Sequence, residues 1–165
     1  MKSNIHIRKA EQRDEEAVWT IIHRVIASGD TYVFEPGTPR DRMIPYWFAK
    51  QTYTYVAEIE DQVVGTYIMK DNQPGLGSHI ANASYMVHPD FHGRGLGKAL
   101  GAHSIGEAKM LGYKALQFNI VVKTNEVAVT LWEKLGFEII GEIPKAFDHA
   151  RLGYVPAYIM YRSVE

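Results

Sequence analysis

The stretch "VHPDFHGRGLGKALG", Val87 to Gly101, places glycines at 93, 95 and 97 directly after an apolar run and directly before a helix-forming one. Glycine lets backbone approach a ligand closely and turn where a side chain forbids it. Free N–H groups at a helix start form a natural seat for phosphate. The stretch therefore reads as strand, glycine turn and helix N-terminus, and it predicts a phosphate-bearing ligand.

The flanking segments fit that junction. Upstream, "NIHIRKA" alternates as a first strand. "RDEEAVWTIIHRVIAS" carries Val18, Ile21, Ile22, Val25 and Ile26 at helical spacing, with Asp14 as N-cap and Gly29 as stop. A turn-rich loop, "DTYVFEPGTP", leads to "RDRMIPYWFAK", a short helix made irregular by Pro45. "YTYVAEI" and "QVVGTYIMK" form a hairpin about Glu60 and Asp61, and "IANASYMV" is the fourth strand. Downstream, "GKALGAHSIGEAKMLG" is a helix that tolerates Gly101 and Gly106. Next come the strand "ALQFNIVV", a helix capped by Asn125 and stopped by Gly136, and the closing strands "FEIIGEI" and "PAYIMYRS". With no repeat or linker, residues 1–165 are expected to form one mixed α/β domain.

Composition narrows the function. The net charge of −1 lacks the basic footprint of a nucleic-acid binder, so no nucleic-acid partner is expected. The absence of cysteine removes disulfides, thiolate metal sites and a cysteine nucleophile, and the seven histidines show no metal-ligand spacing, so no metal is expected. The polar N-terminus and the lack of a long apolar run point to a cytoplasmic protein without a membrane partner.

Two common phosphate motifs fail on the letters. A P-loop needs glycine at 92 and Ser or Thr at 99, where His92 and Ala99 stand. A dinucleotide fingerprint needs glycine or alanine at 98 or 100, where Lys98 and Leu100 stand. The pattern R/Q-x-x-G-x-G/A does fit "HGRGLG", with His92 in the first place. A second pattern, N-x-x-A-x-x-L-Y-x-x-x-G-F, fits "NEVAVTLWEKLGF" through Asn125, Ala128, Leu131, Gly136 and Phe137. On these residues the whole chain resembles the GNAT (GCN5-related) N-acetyltransferase superfamily, and within it the phosphinothricin-type and fungal azetidine-2-carboxylate acetyltransferase branch.

That resemblance implies a central, mostly antiparallel sheet of about seven strands, splayed between strands 4 and 5, with about four helices on its two faces. It implies acetyl-CoA as cosubstrate, attacked directly by a small free amine such as an amino acid or proline analogue. An acyl-CoA-binding sensor without turnover and a protein N-terminal or lysine acetyltransferase are the alternatives. Cofactor contacts would come from Tyr85, Met86 and Val87 along the fourth strand, from His92, Gly93, Arg94, Gly95, Leu96, Gly97 and Lys98, and from Asn125. Tyr32, Phe34 and Glu35 would wall the acceptor pocket. A homodimer is expected from the resemblance alone.

Two residues depart from the family pattern. Asn82 stands where phosphinothricin-type relatives carry a glutamate base, and Trp132 stands where many members carry a tyrosine acid. An amide is no base and an indole N–H is far too weak an acid. The coenzyme A thiol, ionising near the cysteine reference of about 8.5, can leave as thiolate without an acid. Asn82 is then a polar positioning group. Asn119, expected to be buried in mid-strand and in need of a partner, is its companion across the reaction centre. Each amide serving only local backbone is the competing reading. His6, His23, His103 and His149 are read as structural or solvent-facing.

Overall fold

The computed structural model describes residues 4–165. Seven strands form one sheet in the order β1-β2-β3-β4-β5-β7-β6. They are β1 (His6–Lys9), β2 (Tyr53–Ile59), β3 (Gln62–Asp71), β4 (Ile80–Val87), β5 (Ala115–Val122), β6 (Glu138–His149) and β7 (Gly153–Ser163). The helices are α1 (Glu15–Ile26), α2 (Arg40–Trp47), α3 (Leu96–Met110) and α4 (Glu126–Lys134). None of them, among the described residues, is long and apolar enough to cross a membrane.

Strand alternation divides the core. Val56, Ile68 and Met86 project to one face, where they meet Val18, Ile21, Ile22 and Ile26 of α1 and Met43, Ile44 and Trp47 of α2. Their neighbours Tyr55, Tyr67 and Tyr85 project to the other, against Leu96, Leu100 and Ala108 of α3 and Trp132 of α4. The β2–β3 turn takes positive φ at both Glu60 and Asp61, the geometry a two-residue hairpin requires.

Several expectations needed revision. The last two strands form a longer hairpin than their apolar runs indicate, because pairing resumes past an irregularity at Lys145 and takes in the polar, exposed Asp148. Pro45 does not break α2, which continues two residues beyond it. Asp14 stands at the N-cap of α1, as expected, but its side chain bonds none of that helix's N–H groups. Its carboxylate accepts the Glu11 N–H at 2.7 Å and two Arg8 hydrogen bonds at 2.8 and 2.9 Å, and that pairing holds its pKa below the ordinary carboxylate value. Gly101 is more than tolerated. A Cβ there would stand 2.6 Å from Leu135 and 2.9 Å from Trp132, so glycine is what lets α4 close on α3.

Candidate active site

The parallel pairing of β4 with β5 is brief. It joins Ile80 to Ala115 and Ala81 to Leu116 and extends no further. Beyond that point the strands fork. The β3–β4 ladder shows which groups the fork frees: the His88 N–H donates to Val64 and the Ile80 carbonyl accepts from Asn72, so even-numbered residues of β4 pair with β3. Ala83, Tyr85 and Val87 therefore direct their backbone groups away from β3, into the fork. Met86, expected beside them, is turned the other way, with its backbone toward β3 and its side chain in the α1/α2 core.

At the wide end of the fork stands the glycine turn. Gly93 and Gly95 have φ of +77° and +81°, and a Cβ on either would meet nothing within 4 Å. The conformation, rather than crowding by protein, calls for glycine there, and the space above both is open. Gly95 is the N-cap of α3, whose first N–H groups have no intrahelical partners. His92 and Arg94 are exposed beside it, with the Arg94 guanidinium 4.7 Å from the centroid of the Phe91 ring. Leu96 turns into the core. Arg24 of α1 ties the preceding turn through Asp90 at 2.8 and 3.1 Å.

A cleft of about 610 Å³ continues between α3 and α4, lined by Lys98, Glu126, Val127, Thr130, Leu131 and Lys134. Lys134 gives this cleft a second cation that the motifs did not single out. Asn125 caps α4 through the Ala128 N–H at 3.3 Å, leaving its amide NH₂ without a partner among the described residues. Trp132 is buried among Tyr85, Phe118 and Phe137, with ring centroids at 4.7, 4.7 and 5.7 Å. Its indole fits because Gly101 makes room. The position is occupied for packing, and no acidic hydroxyl stands there.

The α1/α2 side of the fork is polar. The Asn82 side-chain amide donates to the Gln117 carbonyl at 3.0 Å, bridging the two strands where backbone pairing ends. Asn119 is not buried. A bulge between Phe118 and Val121 exposes it, and it is satisfied by side chains: it accepts from Gln117 Nε2 at 3.1 Å and donates to Asn72 Oδ1 at 2.7 Å. The two asparagines thus lie on one side of the fork and are linked through Gln117 rather than touching. Tyr32 reaches the same place, its hydroxyl beside the Tyr85 backbone and its pKa raised by burial. Phe34 meets Tyr46 of α2 edge-on at 5.2 Å, whereas Glu35 is exposed in the loop.

The histidines take the structural roles expected of them where the structure shows contacts. His149 Nδ1 accepts the Arg151 and Leu152 N–H groups in the β6–β7 turn, and His103 bonds the Tyr67 hydroxyl at 2.8 Å.

Residues 19–137 match the model of the Acetyltransferase (GNAT) family. The chain belongs to this family. A GCN5-related N-acetyltransferase from Kribbella flavida superposes with a TM-score of 0.91 at 39% identity, over 96% of this chain and 97% of that one. YwnH of Bacillus subtilis, a candidate phosphinothricin acetyltransferase, is 34% identical over 147 residues, covering 84% of this GNAT chain and 86% of its own. N-acetyltransferase aca1 of Schizosaccharomyces pombe is 38% identical over 101 residues, which are 59% of this chain and 47% of aca1. The GNAT chain thus spans about half of aca1. A Sinorhizobium meliloti phosphinothricin acetyltransferase solved with AcCoA shares the fold, at a TM-score of 0.85 and 20% identity over 99% of this chain and 89% of that one.

Proposed function

We propose that this chain is an acetyl-CoA-dependent N-acetyltransferase whose acceptor is a small free amine, of the size of an amino acid or proline analogue. The observation that carries the reading is the fork itself. Unpaired backbone of β4 runs directly into a glycine turn and an open helix start, a continuous row of donors suited to a pantetheine arm ending in a pyrophosphate. The likeness to YwnH over 84% of this chain supports the small acceptor.

In this reading the N–H groups from Gly93 to Lys98 hold the pyrophosphate, with Arg94 and Lys98 adding charge. The Val87 N–H, facing the fork, is the donor for the thioester oxygen as it becomes an oxyanion. The amine nitrogen attacks the carbonyl carbon, a C–N bond forms, the C–S bond breaks, and the thiolate takes the proton that the amine loses. Asn82 and Asn119 orient the amine, and neither removes its proton. The neutral fraction of the amine therefore limits the rate below its pKa.

The test is release of free thiol from acetyl-CoA, with mass spectrometry of a pool of amino acids, proline analogues and polyamines. Thiol release with an acetyl mass on one class of amine is the expected result. Binding of acetyl-CoA with no turnover on any amine or peptide would favour a sensor, a rival reading that rests on Asn82 and Trp132 in place of a base and an acid. Turnover on peptides alone would assign a protein acceptor.

A further inference from the structure

Lys70 stands directly opposite Asn82 in the β3–β4 ladder. Opposed residues of an antiparallel pair project from the same face, so Lys70 rises beside the fork on its polar side. Its Nζ donates to the Tyr46 hydroxyl at 2.9 Å and lies 4.4 Å from the centroid of that ring. Tyr46 is in turn steadied by Phe34. An ammonium has three N–H donors, and one is used here. Among the described residues no Asp or Glu oxygen lies within ion-pair distance of Lys70. Asp71, its neighbour in sequence, projects through the other face and bonds the Tyr113 hydroxyl at 2.7 Å.

The surroundings explain what such a cation is for. The amide groups of Asn72, Asn82, Gln117 and Asn119 are neutral and carry both donors and acceptors, which suits an uncharged amine. Lys70, opposite Asn82 in the ladder, places a half-buried cation beside this group, held by the hydroxyl and ring of Tyr46. We infer that Lys70 receives the carboxylate of the acceptor and thereby selects amino acids over amines that lack an acid group. The inference rests on the acetyltransferase reading above and adds to it the residue that sets its substrate class.

The experiment compares acceptor pairs that differ by the carboxylate: azetidine-2-carboxylate with azetidine, and methionine with 3-(methylthio)propylamine. The wild-type protein should favour the acid of each pair in kcat/KM by about 10- to 100-fold, the range expected when a hydrogen bond to a charged group is lost. Lys70→Met should collapse that ratio toward one through the KM of the acid, and Lys70→Arg should restore part of it. Equal wild-type turnover of both members overturns the inference without any variant. So does an unchanged ratio in Lys70→Met. Should no amine be acetylated, the acetyltransferase reading fails separately, and calorimetric titration of N-acetyl-L-methionine in the presence of coenzyme A then decides for Lys70. Binding that Lys70→Met weakens by the same factor supports the carboxylate site, and absence of binding to the wild type overturns it.

Discussion

The two flanks of the β4–β5 fork are built from different material. The flank leading to α3 is backbone from a single stretch, Ala83 to Lys98, whose donors are aimed by strand alternation and by two positive-φ glycines. The α1/α2 flank is made of side chains: Phe34, Tyr46, Lys70, Asn72, Asn82, Gln117 and Asn119, drawn from loops, α2, β3, β4 and β5. A backbone site can accept almost any side-chain substitution that leaves φ alone. A side-chain site can be retuned one residue at a time. The difference predicts that mutations on the first flank act on cofactor affinity and those on the second act on turnover and acceptor choice.

The largest expected effect comes from Asn82. Its amide both closes the fork, through the Gln117 carbonyl, and lies on the flank proposed to receive the acceptor. Removing it in Asn82→Ala frees β5 to shift, and misplacement on the order of 1 Å is enough to lower kcat by about 100-fold. The KM for acetyl-CoA should stay within a few-fold. Asn82→Asp is the sharper version, because a carboxylate cannot donate to the Gln117 carbonyl. It should be no better than alanine, despite resembling the acidic residue that related enzymes carry at this place. Equal losses in kcat and in cofactor affinity would show that the fork acts as one unit and end the comparison.

Gly95→Val tests the other flank. A β-branched residue at a φ of +81° is strained by about 1–3 kcal/mol, and its Cβ enters the space left open above the helix start. Acetyl-CoA affinity should fall by about 30-fold, the equivalent of roughly 2 kcal/mol. Acceptor selectivity, measured as a ratio of kcat/KM values between two amines, should not move. A change in that ratio would mean that the two flanks are coupled.

The same contrast explains what could be read from the letters. The glycine turn, the Asn125 cap and the strand before them were legible because each depends on local conformation, which residue type controls within a few positions. The α1/α2 flank was only half legible. Asn82 stood out as a departure from the family pattern and Asn119 as an amide in an apolar strand, but Lys70 looks like any charged residue ending a strand until the hairpin register sets it opposite Asn82. Gln117 carried one local signal, its two-residue spacing from Asn119, which places both on one face. The exposure of Asn119 was not readable, because a bulge depends on how β5 meets β7 and not on the sequence of β5 alone. Trp132 was legible as a departure from the family pattern, yet its packing reason lies thirty-one positions upstream at Gly101.

Asn119→Ala should have the smallest effect, and its size discriminates between two views of the amide cluster. Asn119 is exposed, so the groups it leaves on Gln117 and Asn72 can turn to water, and stability should change by less than about 0.5 kcal/mol. If it only orients the acceptor, losing one net hydrogen bond of about 1 kcal/mol raises the acceptor KM by about fivefold and leaves kcat near its original value. The double variant with Asn82→Ala would then show nearly additive losses. If instead the Asn82–Gln117–Asn119–Asn72 links act as one network, Asn119→Ala should lower kcat as Asn82→Ala does, and the double variant should be little worse than either single change. The separation between them, bridged only by Gln117, favours the additive outcome.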